Sequence, residues 1–293
     1  MTKVGFIGLG LMGTGFTKRL VASGREVIGF DIETEKIAAA ADWGVRPAKS
    51  PAEVIARTDL VAICVTTTYA VEEVATGGEG LLAAGRLDGK TVVDFSTTEM
   101  EATHRVAAAL TSVGAAFIDA PVSGGPGAAE TGTLAVMAGG EARALDAVRP
   151  VLEQLGLVTH MGPTGAGQAT KLVNQALCLT NYCVVAEGLR LAEAYGVDAR
   201  KIPAALAPGL ANSAVLQVIF PRMVEGDFAP RGYARQVLKD LEMLQEATRA
   251  QHLALPMASL ATTLFRMLVA QGNSELDGAA VVTLIPKPEN AAP

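Results

Sequence analysis

Short apolar runs alternate with longer amphipathic ones through the first half of the chain, and from residue 164 onward the short runs stop. Residues 4–8 form a short apolar run of strand character, followed by a helical stretch to Ser23, a stop at Gly24 and a second run over 26–30 that ends in Asp31. The alternation continues with a helix over 51–57, a buried strand over 60–65, a helix starting over 71–75 and a strand over 91–94. A helix over 99–112 follows, with Thr98 as its cap, then strands over 116–119, 133–138 and 157–160 and a helix over 141–154. Strands that alternate with helices in this way predict an α/β fold, a Rossmann-type doubly wound sheet occupying residues 1–162.

Residues 163–293 read as an all-α domain. It opens on one long helix over 164–195 that joins the two halves, capped by Thr164 and ended by Gly196. Asp198 caps a helix through Leu206, Pro208-Gly209 breaks it, and further helices cover 212–225, 233–251 and 257–271. Pro286, Pro288 and residues 290–293 read as a frayed end. Apolar residues recur around these helices, which predicts a subunit interface as well as a core, in a homodimer or homotetramer.

Composition narrows the picture. Half of the 293 residues are apolar, and the formal charge of −6 gives no basic field for nucleic acid or an anionic membrane. No apolar run has the length of a bilayer span, and the N-terminus enters a strand without a secretory leader. Cys64, Cys178 and Cys183 lie in apolar segments without ligand spacing, so buried reduced thiols in a cytoplasm are expected. His104, His160 and His252 stand apart and suggest no metal site.

The first chemical feature is Gly8-Leu9-Gly10-Leu11-Met12-Gly13, a G-x-G-x-x-G set between a strand and a helix, with Asp31 at the end of the next strand. Gly8 turns the chain, Gly10 lets a pyrophosphate approach the backbone, and Gly13 lets helix and strand pack closely. The helix start offers N–H groups and a positive dipole end to phosphate. A carboxylate at Asp31 accepts ribose hydroxyls and repels a 2′-phosphate, and Ile32-Glu33-Thr34-Glu35 adds acid without arginine. NAD is therefore favoured over NADP, with Lys36 the one nearby cation. Thr34, rather than Asp31, is expected to cap the following helix. Strand ends form the ligand crevice in such a sheet, which places Val65 and Thr66 against the cofactor.

The second feature is Ser123-Gly124-Gly125, a hydroxyl and exposed N–H groups in a flexible turn suited to a small carboxylate. The third is Lys171, on one helical face with Asn174 and Cys178. Gly165 and Gly167 open a path to its side chain for another chain or a ligand. A lysine on a mostly apolar helix is costly unless a polar group meets it, and we read Lys171 as the proton-handling residue of a site between the two domains. A free lysine, titrating at about 10.4, is a poor base at neutral pH, and burial lowers that value. Lys239-Asp240, by spacing an exposed charge pair, also admits a lysine returning toward the cofactor.

Together these segments resemble the β-hydroxyacid dehydrogenase family over essentially the whole chain. Phe6-Ile7-Gly8-Leu9-Gly10-Leu11-Met12-Gly13 is similar to its N-terminal signature, and Asp119-Ala120-Pro121-Val122-Ser123-Gly124-Gly125 with Gly132-Thr133-Leu134 to its substrate loop. Gly165-x-Gly167-x-x-x-Lys171-x-x-Asn174 resembles its catalytic segment, and Lys239-Asp240 a later motif. Phe16 departs from the signature, which usually ends in methionine, and bears on local packing alone. The resemblance implies that Lys171 is the general acid/base, that Asn174 fixes the reacting oxygen, and that Ser123, Gly124 and Gly125 hold a substrate carboxylate. It also implies that Lys239 contacts the nicotinamide side with Ser96 beside it.

Members of the family include 3-hydroxyisobutyrate dehydrogenases and tartronate semialdehyde (2-hydroxy-3-oxopropionate) reductases. Gly167-Gln168, Asn174-Gln175 and Leu276-Asp277 look more like the reductase branch. The expected activity is hydride transfer between nicotinamide and a small 3-hydroxy acid or its semialdehyde. The alternatives are another carbonyl or imine substrate, or a regulatory dinucleotide-binding protein without catalysis. Imine reductases usually lack this lysine, and 6-phosphogluconate dehydrogenases are longer, with a histidine-rich continuation absent after Asn174.

Overall fold

A computed structural model of the chain describes residues 3–288, so the expectation for 290–293 lies outside the described residues. The chain forms two compact units, Met1–Lys171 and Leu172–Pro293. The first unit extends past the expected end at 162, because the opening turn of the long helix is hydrogen-bonded to residues of the sheet.

In chain order the first unit contains β1 (Val4–Ile7), α1 (Leu11–Ala22), β2 (Val27–Phe30), α2 (Thr34–Ala41), β3 (Arg46–Pro47), α3 (Pro51–Arg57), β4 (Leu60–Ile63) and α4 (Thr68–Thr76). It continues with β5 (Thr91–Asp94), α5 (Met100–Ser112), β6 (Ala116–Asp119), β7 (Val122–Ser123), α6 (Gly125–Thr131), β8 (Leu134–Gly140), α7 (Ala142–Leu152) and β9 (Gly156–Gly162). The sheet order is β3-β2-β1-β4-β5-β6-β8-β7, with β9 beside β8. Strands from β3 to β6 pair in parallel, while β8 runs antiparallel to β6 and β7 and parallel to β9.

Parallel strands are covered on both faces, so their residues are apolar without a break. Val4 and Phe6 enter a cluster with Phe16, Leu20 and Ile118, while Ile7 enters another with Ile28, Ile55 and Ile63. The unusual Phe16 is fully buried, stacked on Phe95 with ring centroids 4.7 Å apart and tilted against Phe6 at 5.5 Å. Strand order reverses beside β1, which opens a crevice at the carboxyl ends of β1 and β4.

Two expected caps and one expected loop need correction. Glu33, not Thr34, precedes α2, and Asp31 Oδ1 accepts the Glu33 N–H at 2.9 Å. Glu99, not Thr98, precedes α5; the Thr98 hydroxyl instead meets that of Thr103 at 2.8 Å. The turn around Ser123 is strand followed by helix. Val122 and Ser123 pair with Val136 and Ala135, and α6 starts at Gly125 and packs on α1. Glycine and proline at the start of α6 hide a helix whose stability comes from that packing rather than from propensity.

The second unit begins with α8 (Ala166–Ala194), whose first turns belong to the first unit. A 3₁₀ turn (Ala199–Lys201) follows, then α9 (Ile202–Leu206), α10 (Ala214–Glu225), α11 (Ala234–Ala250) and α12 (Pro256–Ala270). Asp198 caps the 3₁₀ turn through the Arg200 N–H, and Ser213 caps α10 through that of Leu216. Its core gathers Leu179, Ala186, Leu189, Phe220, Leu241, Phe265 and Val281, the last from a 3₁₀ helix (Gly278–Leu284) that apolar periodicity does not predict. Buried Arg222 pairs with Asp277 at 2.9 Å and with Asp227 at 3.1 Å, and Asp277 also accepts the N–H groups of Arg231, Gly232 and Ala279. Leu276-Asp277 thus pins the core of this unit. Among the described residues no helix is long and apolar enough to cross a membrane.

Candidate active site

The glycine loop ends β1 as its spacing requires. Gly8 has φ of +97°, and a Cβ there would meet the Cys64 carbonyl oxygen at 2.2 Å. A Cβ on Gly13 would meet the Gly8 carbonyl oxygen at 1.9 Å, so helix and strand touch backbone to backbone. Gly10 differs, since nothing lies within 4 Å of the position its Cβ would take. This residue has no neighbour to accommodate and stands at the start of α1, where no side chain caps the helix. Open space in front of uncapped N–H groups fits a pyrophosphate.

Asp31 is buried immediately after β2, and its Oδ2 accepts the Leu9 N–H at 2.7 Å. The carboxylate therefore fixes the glycine loop to the end of the second strand, a role that spacing did not reveal. Its oxygens keep lone pairs for a further donor. Val65 follows β4 half-buried, and its N–H donates to Ser96 Oγ at 3.0 Å, joining the ends of β4 and β5; Thr66 is exposed.

Lys171 is 8 % exposed, and its Nζ donates to the Val122 carbonyl at 2.7 Å, one residue before Ser123 on β7. The structure thus brings Lys171 and the Ser123-Gly124-Gly125 segment together. Ser123 and Gly125 are half-buried, Gly124 is exposed, and φ at Gly124 and Gly125 is +135° and +74°.

The position of Lys171 follows from how α8 begins. Asp119, the last residue of β6, accepts the Gly165 N–H at 2.8 Å and the Gln168 N–H at 2.9 Å. It thus supplies the acceptor that Thr164 was expected to provide. Burial pushes the Asp119 carboxyl above the usual carboxylate value, and the N–H groups of Gly165, Gln168 and Gly167 pull it back. Gln168 adds a second tie, donating to the Ser96 carbonyl at 2.8 Å and accepting the Thr98 N–H at 3.2 Å. A Cβ on Gly167 would meet the carbonyl oxygens of Met137 at 2.4 Å and Asp119 at 2.5 Å. This glycine serves the sheet that presses on the helix start.

Asn174 is half-buried one turn beyond Lys171, and its Nδ2 donates to Gln175 Oε1 at 2.8 Å. Gln175 in turn donates through Nε2 to Asp240 Oδ2, and Asp240 Oδ1 lies 3.0 Å from Lys239 Nζ. In the second unit, Asn174 and Lys239 are therefore the ends of one polar chain through Gln175 and Asp240. The Lys239-Asp240 pair is mostly buried rather than a solvated surface pair.

Asp119, Gln168 and Gln175 had no assigned role in the sequence. The available signal was a carboxylate at the crevice end of a buried strand and amides inside an apolar helix.

Residues 3–162 match the family described as the NAD binding domain of 6-phosphogluconate dehydrogenase, and residues 165–285 that described as NAD-binding of NADP-dependent 3-hydroxyisobutyrate dehydrogenase. The 2-hydroxy-3-oxopropionate reductase of Escherichia coli is 35 % identical over 285 residues, 96 % of each chain. The NAD-dependent L-serine dehydrogenase of Pseudomonas aeruginosa is 33 % identical over 97 % of this chain and 98 % of its own. A solved structure of Mycobacterium tuberculosis 3-hydroxyisobutyrate dehydrogenase with L-serine superposes with a TM-score of 0.86 at 32 % identity, covering 98 % of this chain and all of that one. With both segments matched and full-length relatives at this identity, the chain belongs to the β-hydroxyacid dehydrogenase family of pyridine-nucleotide-dependent oxidoreductases.

Proposed function

We propose that the protein interconverts a small 3-hydroxy acid and its semialdehyde with NAD, and that Lys171 is the general acid/base. The observation that carries this reading is the buried Lys171 amine, held on the Val122 carbonyl one residue from Ser123. Bound nicotinamide supplies the hydride acceptor or donor. In oxidation, neutral Lys171 takes the substrate hydroxyl proton at Nζ; in reduction, its ammonium form polarises the carbonyl oxygen and then protonates it. The Ser123 hydroxyl and the N–H groups of Gly124 and Gly125 bind the carboxylate, and the Asn174 amide orients the reacting oxygen.

The N–H groups of the Gly8–Gly13 loop would hold the pyrophosphate and Asp31 the ribose hydroxyls, with Val65, Thr66 and Ser96 as further cofactor contacts and Lys239 as the residue that the family resemblance assigns to the nicotinamide. NAD is preferred because the Asp31 carboxylate would repel a 2′-phosphate. The contrary cation, Lys36, is engaged by Glu33 at 2.6 Å. A small 3-hydroxy acid or semialdehyde is supported by the named activities of two bacterial relatives, on L-serine and 2-hydroxy-3-oxopropionate. Self-association as a homodimer or homotetramer belongs to the same reading, supported by uncovered apolar residues on α8 and α12.

The test follows NADH absorbance against a panel of short hydroxy acids, semialdehydes, other carbonyls and imines. A small 3-hydroxy acid or its semialdehyde is expected to be the best substrate, with NADPH at least about tenfold worse than NADH, a difference of ~1.4 kcal/mol. Lys171→Ala is expected to lower kcat by about 10²–10⁴-fold while NADH still binds. Near-native turnover in that variant would remove Lys171 from the chemistry, and activity confined to imines would transfer the site to another substrate class.

A further inference from the structure

Gly15 stands in the middle of α1, buried and in helical conformation, where alanine is the better helix former. The reason for glycine is space. A Cβ there would lie 2.8 Å from the Pro126 carbonyl oxygen, 2.9 Å from the Ala129 Cβ and 3.1 Å from the Glu130 nitrogen. Helix α6 therefore rests on α1 backbone to backbone, at the turns that follow Ser123-Gly124-Gly125. Lys18 and Arg19 share this face of α1 with Gly15. Lys18 pairs with Glu130 at 3.6 Å, and a Cβ on Gly132 would meet Arg19 Nε at 2.6 Å, so the contact runs the length of α6.

The two helices differ in how readily they yield. Helix α1 is fixed: Phe16 is stacked on Phe95, Leu20 is buried in the same cluster, and Gly13 touches the Gly8 backbone. Helix α6 has seven residues and is flanked by two glycines of positive φ, Gly124 at +135° and Gly132 at +75°. Glycines of this kind turn at little steric cost. A methyl group added at Gly15 would press on backbone atoms, not on the end of a flexible side chain. To restore ordinary contact at about 3.5 Å, α6 would move away by about half an ångström or more, and Gly124 and Gly125 would move with it.

We propose that Gly15 is a positioning residue that lets α6 lie close enough to α1 to set the place of Ser123-Gly124-Gly125, a role that rests on the reading of that segment as the carboxylate site. Binding geometry must be held within about 0.5 Å to be productive, so a shift of this size is felt by the substrate. The glycine loop at the other end of α1 keeps its own contacts. Recognition of the acid and binding of the cofactor therefore respond separately to a change at Gly15.

The full chain carrying Gly15→Ala tests this with three readouts. In hydrogen exchange read by mass spectrometry, peptides over 122–132 are expected to exchange faster than in wild type, while those over 4–22 do not change. NADH affinity, read by fluorescence titration, is expected to stay at its wild-type value. Turnover with NADH is compared for 2-hydroxy-3-oxopropionate and for glycolaldehyde, the same hydroxy-aldehyde without its carboxylate. The preference in kcat/KM for the acid is expected to fall about tenfold, through KM for the acid. A glycine merely tolerated in α1 predicts the reverse, since alanine would then steady the helix and leave the loop alone.

A wild type without preference for the acid would overturn the carboxylate reading, and the role of Gly15 with it. A wild type whose preference survives Gly15→Ala, or whose exchange over 122–132 is unchanged by it, would overturn the role of Gly15 alone. Lost NADH affinity, or a variant that fails to fold, would show that α6 is not the part that yields and would overturn it likewise.

Discussion

Cys64 follows β4 and Cys183 faces the core of the second unit, and burial pushes both thiols up to about 12, with Asp94 and Glu187 adding to the respective effects. The reactive form is the thiolate, whose population rises about tenfold per pH unit toward that value. At pH 8 both groups are therefore expected to resist iodoacetamide in the native protein and to react once guanidinium unfolds it. Mass spectrometry of the alkylated peptides reads the result, and labelling of native Cys64 or Cys183 at the rate of free glutathione would contradict it. Among single residues, those whose meaning is spacing were legible in sequence: Lys171 on its helical face, and Gly8, Gly10 and Gly13 between strand and helix. Asp31 was legible as the last residue after a strand, but its hydrogen bond to Leu9 was not. Cys64 and Cys178, read as buried, are half-buried, because β4 ends before Cys64 and Cys178 lies beside rather than on the inward face of α8.

The start of α8 is where an element takes its place from residues far away in sequence. Asp119 holds the Gly165 and Gln168 N–H groups, and Gln168 holds Ser96 and Thr98, so β6 and the segment after β5 together set the helix that carries Lys171. Asp119→Ala strands two buried donors, and each costs about 1–3 kcal/mol. We expect a stability loss of about 2–4 kcal/mol in urea titrations together with a fall in kcat, as the amine leaves the Val122 carbonyl. A loss below about 0.5 kcal/mol would show that water replaces the carboxylate at no cost. Existence and type were readable for most elements because helical and strand periods differ. Helix α6 and the 3₁₀ helix at Gly278–Leu284 were not, since their backbone is stabilised by neighbours and their sequences carry no clean period. Caps failed at α2 and α5 for a related reason: Thr34 lies inside its helix, and Thr98 prefers a partner across a turn.

At the scale of the chain, the alternation of strands and helices and its abrupt end announce the two-part architecture. The family matches over 3–162 and 165–285 divide the chain at the same place. The compact units part at Lys171 because tertiary hydrogen bonds hold the first turn of α8 to the sheet. The helical unit carries its own buried ion network around Arg222 and Asp277, so its cohesion does not rest on apolar burial alone.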